Sequence, residues 1–105
     1  MMRVVIVEDS RTQARQLAGV LTREGFEVVI CRDGESGLAE CLAAPPAVVV
    51  SDIVMPGIDG FEVCRRLKAS DATRDVPVML LTSLADPTDV VRALAESQSR
   101  RPLVL

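Results

Sequence analysis

Three short runs of consecutive apolar residues, at 4–7, 47–50 and 78–81, are separated by segments in which apolar residues recur at helical spacing. Continuous apolar runs are typical of strands buried on both faces of a parallel sheet, and the spacing between them is typical of amphipathic helices. Residues 26–31 alternate more, which predicts a less buried, outer strand. Strand and helix therefore alternate four times along the chain. This order predicts a doubly wound α/β sheet with right-handed crossovers.

Capping residues and helix breakers mark where the helices begin and end. Ser10 is a favourable N-cap for the first helix, and Gly25 is placed to stop it. Asp86 and Pro87 have the chemistry of a cap and a first-turn proline for the fourth helix. The positions predicted to face the core in the second and third helices are Leu38, Cys41, Leu42, Phe61, Cys64 and Leu67.

The regular pattern ends near Glu96. Residues 97–101 are polar, and residues 102–105 are long enough only for a short last strand. We therefore expect one domain over residues 1–105 that lacks a fifth helix and is atypical or truncated after about residue 96.

Composition narrows the class of protein. The 105 residues suit one domain with a single core, and 49% hydrophobic and 26% charged residues are typical of a globular protein. A net charge of −3 and the lack of a long apolar stretch argue against direct binding to nucleic acid or membrane. The cysteines Cys31, Cys41 and Cys64 are odd in number and have apolar surroundings, so we expect buried, reduced thiols in a cytoplasmic protein.

Acidic side chains stand where two predicted strands end. Glu8 and Asp9 follow the first strand, Asp52 follows the third, and Thr82 follows the fourth. The carboxyl ends of neighbouring parallel strands lie along one rim of the sheet, where ligands bind. Two carboxylates roughly 5 Å apart repel by about 3 kcal/mol at an effective dielectric near 20, so a bound cation is the simplest remedy. Because the chain has no histidine, the ligands must be oxygens, which indicates a hard cation such as Mg²⁺.

Each acid also has an ordinary structural explanation. An isolated aspartate after a strand is usually a turn former or a helix cap, and Glu8 and Asp9 could simply lead to the first helix. Their placement at corresponding strand ends favours a functional site. Gly57 and Gly60 support that reading, because glycine lets the backbone approach a ligand closely.

Phosphoryl transfer is a chemistry that such a site can carry out. A carboxylate can act as a nucleophile toward phosphorus and form an aspartyl phosphate. Asp52 is the best-placed nucleophile, with Asp9 and Glu8 as metal-side acids and Thr82 as a hydrogen-bond donor to the phosphoryl group. The chain has neither a Gly-x-x-x-x-Gly-Lys loop nor a Gly-x-Gly-x-x-Gly turn, so nucleotide-binding loops do not explain it.

Three segments together resemble the receiver domain of bacterial two-component response regulators. They are residues 4–10 (Val-Val-Ile-Val-Glu-Asp-Ser), 51–60 (Ser-Asp-Ile-Val-Met-Pro-Gly-Ile-Asp-Gly) and 77–83 (Pro-Val-Met-Leu-Leu-Thr-Ser). The match runs from Arg3 to about Glu96. The resemblance implies a flavodoxin-like fold with strand order 2-1-3-4-5.

The resemblance also implies the roles of the site residues. Asp52 would be phosphorylated by a histidine kinase or a histidine phosphotransfer protein, and Thr82 would follow the phosphoryl group and couple it to the surface. Mg²⁺ would be held by Asp9, Asp52 and the backbone carbonyl of Val54, with Glu8 alongside. Such a domain phosphorylates and dephosphorylates itself and has no external substrate, so it is not an enzyme in the usual sense.

Partners and context follow from the same resemblance. The phosphodonor protein would dock near the first helix, around Ser10, Arg11 and Arg15. Related domains also pair, so a homodimer is a further expectation. The chain is expected to be a stand-alone receiver or a piece of a larger regulator or hybrid kinase.

The last residues depart from the family pattern. Counted without gaps from Thr82, the family's lysine position falls on Val104 and its aromatic switch position on Arg101. Lys68 is the only lysine in the chain and is predicted on the third helix, away from the site. We interpret residues 97–105 as a truncated or altered-frame end of an ordinary receiver. The rival hypothesis is therefore a receiver-shaped interaction module that works without phosphorylation.

Overall fold

The computed structural model describes residues 2–83, 85–96 and 103–105. Within those residues strands and helices alternate strictly along the chain. The elements are β1 (Arg3–Val7), α1 (Arg11–Arg23), β2 (Glu27–Cys31), α2 (Gly34–Ala43), β3 (Val48–Asp52), α3 (Gly60–Ala69), β4 (Val78–Leu81), α4 (Pro87–Glu96) and β5 (Leu103–Val104). No helix in this described part has the length and apolar character needed to cross a membrane.

The five strands run parallel in one sheet with the order β2-β1-β3-β4-β5. Val5 of β1 lies between Val29 of β2 and Val49 of β3. β3 continues the sheet to β4, where Asp52 is level with Leu81. This arrangement confirms the flavodoxin-like strand order, and it places the carboxyl ends of β1, β3 and β4 along one rim.

The predicted helix caps are confirmed. The N–H of Gln13 donates to the Ser10 hydroxyl oxygen at 3.3 Å at the start of α1. Gly25 has a φ of +93°, the left-handed conformation that ends a helix most readily when the residue is glycine. At the start of α4 the Thr88 N–H donates to the Asp86 carboxylate at 2.9 Å.

The sheet is covered on both faces. Helices α2 and α3 cover one face, where Val5, Val49 and Leu80 are fully buried. Helix α1 covers the other face, whose core residues include Val4, Ile6, Leu17, Leu21, Val48, Val50 and Met79. This burial on both sides explains why the central strands have continuous apolar sequences.

Helix α4 packs on the same face as α1 and not beside α3. Its Val90 is 1% exposed and belongs to the cluster that contains Ile6, Leu17 and Leu21. The steps from β3 to β4 and from β4 to β5 cross the sheet in the same direction. Since their helices lie on opposite faces, the two crossovers have opposite hands, and the prediction of right-handed crossovers throughout is wrong for the last one. The described residues contain no fifth helix, and α4 covers apolar surface that α1 leaves open.

The last strand is short, as predicted. β5 pairs with β4 over Leu103–Val104. The Leu105 N–H donates to the Leu80 carbonyl at 2.8 Å, and the Thr82 N–H donates to the Leu105 carbonyl at 2.7 Å. Arg101, on which the family's aromatic position is predicted to fall, lies outside the described residues.

Two positions predicted to face the core are wrong. Leu42 of α2 is 49% exposed, and Phe61 of α3 is 55% exposed. In each helix glycines lie in close contact with the neighbouring structure, Gly34 and Gly37 in α2 and Gly60 in α3. The buried stripe includes these glycines, and Leu42 and Phe61 fall on its flank because each helical residue turns the face by about 100°.

The three cysteines are buried and unpaired, as predicted. Burial raises the pKa of the thiols of Cys31 and Cys64, and it raises the pKa of Cys41 to about 12. Thiols with raised pKa values stay protonated and unreactive at neutral pH. The cysteines therefore act here as small apolar core residues.

Candidate metal centre

Three carboxylates converge at the rim of the sheet. Glu8 and Asp9 directly follow β1, and Asp52 is the last residue of β3, the strand next to β1. One carboxylate oxygen from each of the three lies within 4.8 Å of the other two. The topology therefore brings together residues that are more than forty positions apart in the sequence.

Hydrogen bonds fix the turn that carries Glu8 and Asp9. The Glu8 N–H donates to the Cys31 carbonyl at 2.9 Å, which continues the pairing of β1 with β2 past the end of the strand. The Glu8 carboxylate accepts the Ser10 N–H at 3.2 Å. Glu8 is 8% exposed, whereas Asp9 is exposed. One acid is thus held rigidly against the protein while its neighbour faces solvent.

Burial and mutual repulsion perturb two of these acids. Burial is the main cause that raises the pKa of Glu8 to about 7, and the charges of Asp52 and Asp9 raise it further against the opposing hydrogen bond from Ser10. Burial also raises the pKa of Asp52, opposed chiefly by the Ile53 N–H. Two full charges at 4.8 Å repel by about 3 kcal/mol at an effective dielectric near 20. Without a cation, the cluster therefore retains a proton on Glu8 near neutral pH.

The donor set fits a hard divalent cation. All three groups offer carboxylate oxygens, which are the ligands that Mg²⁺ and Ca²⁺ prefer. A cation at this point would offset the repulsion between these acids, which adds to the effect of burial on the pKa of Glu8. The sulfur ligands that would attract a softer metal are buried in the core as protonated thiols.

The loop after Asp52 returns tightly to the site. Gly57 has a φ of +81°, a conformation that favours glycine. A Cβ added to Gly60 would lie only 2.4 Å from the Asp52 carbonyl oxygen. The Gly60 N–H donates to the Ile53 carbonyl at 2.8 Å, so the first residue of α3 is held directly against the backbone of the site. Val54, predicted to offer its carbonyl to the cation, lies in this loop with its side chain 80% exposed.

A cleft joins the acids to Thr82. Its volume is about 200 Å³, and its lining residues are Glu8, Gln13, Gln16, Leu17, Asp52, Leu81, Thr82, Ser83, Ala85, Pro87 and Val90. Thr82 is exposed and shares this cleft with Asp52, so the structure places the predicted hydroxyl on the side of the site away from β2. Gln13 and Gln16 of α1 and Pro87 of α4 form the walls.

The sequence did not predict which residues of α1 and α4 form the walls of this cleft. Gln13 and Gln16 are three residues apart on the polar side of α1, which indicates only a solvent-facing surface. The contribution of α4 depends on which face of the sheet the helix covers, and the sequence pattern does not encode that choice.

No lysine or arginine lines this cleft within the described residues. The Lys68 amino group donates to the carbonyls of Arg74 at 3.1 Å and Val76 at 2.6 Å. Because Val76 precedes the amino end of β4, Lys68 lies at the opposite edge of the sheet from the acids. Val104, on which the family's lysine position is predicted to fall, is an apolar residue of β5. The prediction that Lys68 does not reach the site is confirmed.

Comparison with known proteins identifies the relatives of this chain. A family model described as "Response regulator receiver domain" matches residues 4–100. The chain is 38% identical over 97 residues to the response regulator PleD of Caulobacter vibrioides, which covers 92% of this chain and 21% of that protein. The chain thus spans about a fifth of that relative's length.

Solved structures give the same result. The signal receiver domain of a signal transduction histidine kinase from Syntrophus aciditrophicus is 36% identical, with a TM-score of 0.78 over 99% of this chain and 78% of that one. The response regulator TrrA from Thermotoga maritima, solved in complex with Mg²⁺-BeF, is 27% identical, with a TM-score of 0.78 over 100% of this chain and 87% of that one.

Proposed function

This chain belongs to the response-regulator receiver domains of two-component signalling, and we propose that it accepts a phosphoryl group on Asp52 in a Mg²⁺-dependent reaction. The observation that carries the proposal is the convergence of Glu8, Asp9 and Asp52 within 4.8 Å. The structure of the relative TrrA with Mg²⁺-BeF supports it.

Each residue of the site has a separate role in the proposed reaction. Asp9, Asp52 and the Val54 backbone carbonyl would hold Mg²⁺, with Glu8 alongside. A bound Mg²⁺ supplies positive charge that neutralises the phosphoryl oxygens. An Asp52 carboxylate oxygen forms a bond to phosphorus while the bond from phosphorus to the donor nitrogen breaks. The Thr82 hydroxyl, across the cleft, donates a hydrogen bond to a phosphoryl oxygen.

The partner in this proposal is a histidine kinase or a histidine phosphotransfer protein. It docks beside α1, around Ser10, Arg11 and Arg15, because the exposed acid Asp9 lies just before that helix. The domain catalyses its own phosphorylation and dephosphorylation and turns over no external substrate. We propose a cytoplasmic location for it.

One observation favours the rival function, an interaction module that works without phosphorylation. Within the described residues the cleft has no cationic side chain to pair with a phosphoryl group. A phosphorylated Asp52 would therefore lack an ion pair with a lysine or arginine of this cleft. On this reading the acids remain as an inherited feature and the surface does the binding.

The mass of the intact protein distinguishes the two functions. We would incubate the chain with acetyl phosphate and Mg²⁺ and measure the mass gain of one phosphoryl group. The expected result is a gain in the wild type and in Asp71→Asn, a control at an exposed aspartate on the surface, and no gain in Asp52→Asn. A wild type that binds Mg²⁺ but gains no mass would contradict the phosphoacceptor proposal and favour the rival.

A further inference from the structure

A second cleft, on the β2 side of α1, places three arginines around an apolar floor. Its volume is about 200 Å³, and its lining residues are Glu8, Arg11, Ala14, Arg15, Ile30 and Arg32. We refer to these residues as the arginine groove. Arg11 and Arg15 come from α1, and Arg32 directly follows the outer strand β2. Ile30 is 42% exposed, so a large aliphatic side chain faces solvent between the charges.

These arginines differ from four other arginines in the described part of the chain. The arginines that form ion pairs with carboxylates in the described part of the chain are Arg3, Arg65, Arg66 and Arg74. By contrast, Arg11, Arg15 and Arg32 are exposed, and nothing in the described residues forms an ion pair or hydrogen bond with their guanidinium groups. The one acid in the groove is Glu8, whose carboxylate already accepts the Ser10 N–H and belongs to the acidic cluster.

We propose that the arginine groove binds an acidic segment of a partner protein, with an aliphatic side chain of that segment resting on Ile30. Guanidinium groups bind carboxylates in a planar, two-pronged geometry, so three unpaired guanidiniums match a run of aspartates and glutamates. The exposed Ile30 gives such a segment an apolar contact that a free anion could not use. The overall charge of −3 disfavours nucleic acid as the ligand, although the groove itself is positive.

Arg11 and Arg15 also belong to the surface proposed above for the phosphodonor protein, so this inference rests on that docking proposal and adds the chemistry of the segment that docks. Asp52 and Thr82 line the cleft on the other side of α1 and do not line the arginine groove. The acidic segment therefore binds whether or not Asp52 is phosphorylated. A variant that cannot be phosphorylated separates the two proposals, since only one of them fails.

The test is a selection from a display library of short random peptides against the whole chain. We expect the selected peptides to be rich in aspartate and glutamate and to carry an aliphatic residue. The double variant Arg15→Gln/Arg32→Gln should bind them at least about tenfold more weakly, roughly the loss of two exposed ion pairs. The matched control is Arg23→Gln/Arg92→Gln, which removes the same charge from two exposed arginines outside the groove.

Two further readouts place the binding site. The amide signals of Ala14 and Ile30 should shift on addition of a selected peptide in a two-dimensional NMR spectrum. Asp52→Asn should bind the peptide as tightly as the wild type. The proposal is overturned if no peptides are enriched, if those selected lack acidic residues, or if the groove variant binds them as well as the control variant does.

Discussion

Gly60 lies in tight contact with the backbone of Asp52. The substitution Gly60→Ala therefore perturbs the geometry of the site and keeps all three of its acidic residues. The added Cβ would lie 2.4 Å from the Asp52 carbonyl oxygen and 3.0 Å from the Ile53 Cα. To reach even 3.0 Å from that oxygen, the start of α3 and the end of β3 must separate by about 0.6 Å, the difference between 3.0 and 2.4 Å. Both contacts are backbone atoms, so no side-chain rotation can relieve them.

We expect Gly60→Ala to lower the free energy of unfolding by about 1–3 kcal/mol, the usual cost of overpacking a well-packed region. We also expect weaker Mg²⁺ binding, because the shift moves Asp52 relative to Asp9. Unfolding can be followed in urea by far-ultraviolet circular dichroism, which suits a chain without tryptophan or tyrosine. Mg²⁺ binding can be measured by titration calorimetry.

Gly19→Ala is the matched control. Gly19 is exposed in the middle of α1, and an added Cβ there meets nothing within 4 Å. Alanine should therefore stabilise the chain by roughly 0.5–1 kcal/mol through helix propensity. If Gly60→Ala were as stable as the wild type and bound Mg²⁺ equally well, the steric reasoning would be refuted.

Three further predictions concern charge. In the absence of Mg²⁺, the free energy of unfolding should fall as pH rises from 4.5 to about 7, because the folded chain keeps a proton on Glu8 that the unfolded chain has lost. Urea titrations with a chelator at pH 5 and pH 8 should show that Glu8→Gln removes about 1–3 kcal/mol of that fall. The same fall in both proteins would contradict this prediction. Mg²⁺ at a hundred times its dissociation constant should stabilise the wild type by about 2.7 kcal/mol in thermal unfolding. Asp9→Asn should not be stabilised by Mg²⁺, but without metal it should be more stable than the wild type. Equal stabilisation of both proteins by Mg²⁺ would exclude Asp9 as a ligand. Arg65 and Arg66 lower the pKa of Glu62 to about 2. Glu62→Gln should therefore be less stable than the wild type above pH 4.5, and the difference should disappear as the pH falls toward 2. A difference in stability that does not change with pH would contradict this prediction.

The parts of the fold that local sequence determines were predictable. The apolar run of β1 and the Ser10 cap are local features, and a general rule on parallel sheets then placed Glu8, Asp9 and Asp52 on one rim. The roles of these residues in phosphoryl transfer stay predictions.

The errors arose where packing between distant elements decides the outcome. Leu42 and Phe61 are apolar, but the buried stripes of α2 and α3 include the glycines and leave these two residues exposed. The face covered by α4 depends on which part of the sheet remains bare after α1 has packed. The raised pKa of Glu8 likewise depends on burial by elements remote in sequence.

The hydrogen bond from the Thr82 N–H to the Leu105 carbonyl, 2.7 Å long, has a mechanical consequence. Thr82 lines the cleft and is tethered through its own amide to Leu105, the residue that follows β5, and the Leu105 N–H in turn donates to the Leu80 carbonyl. A movement of Thr82 toward Asp52 must therefore either draw the sheet margin with it or break this tether. Hydrogen exchange at the Thr82 amide would detect the breaking of this hydrogen bond directly. The exchange rate of this one proton therefore reports whether the edge of the sheet moves together with Thr82.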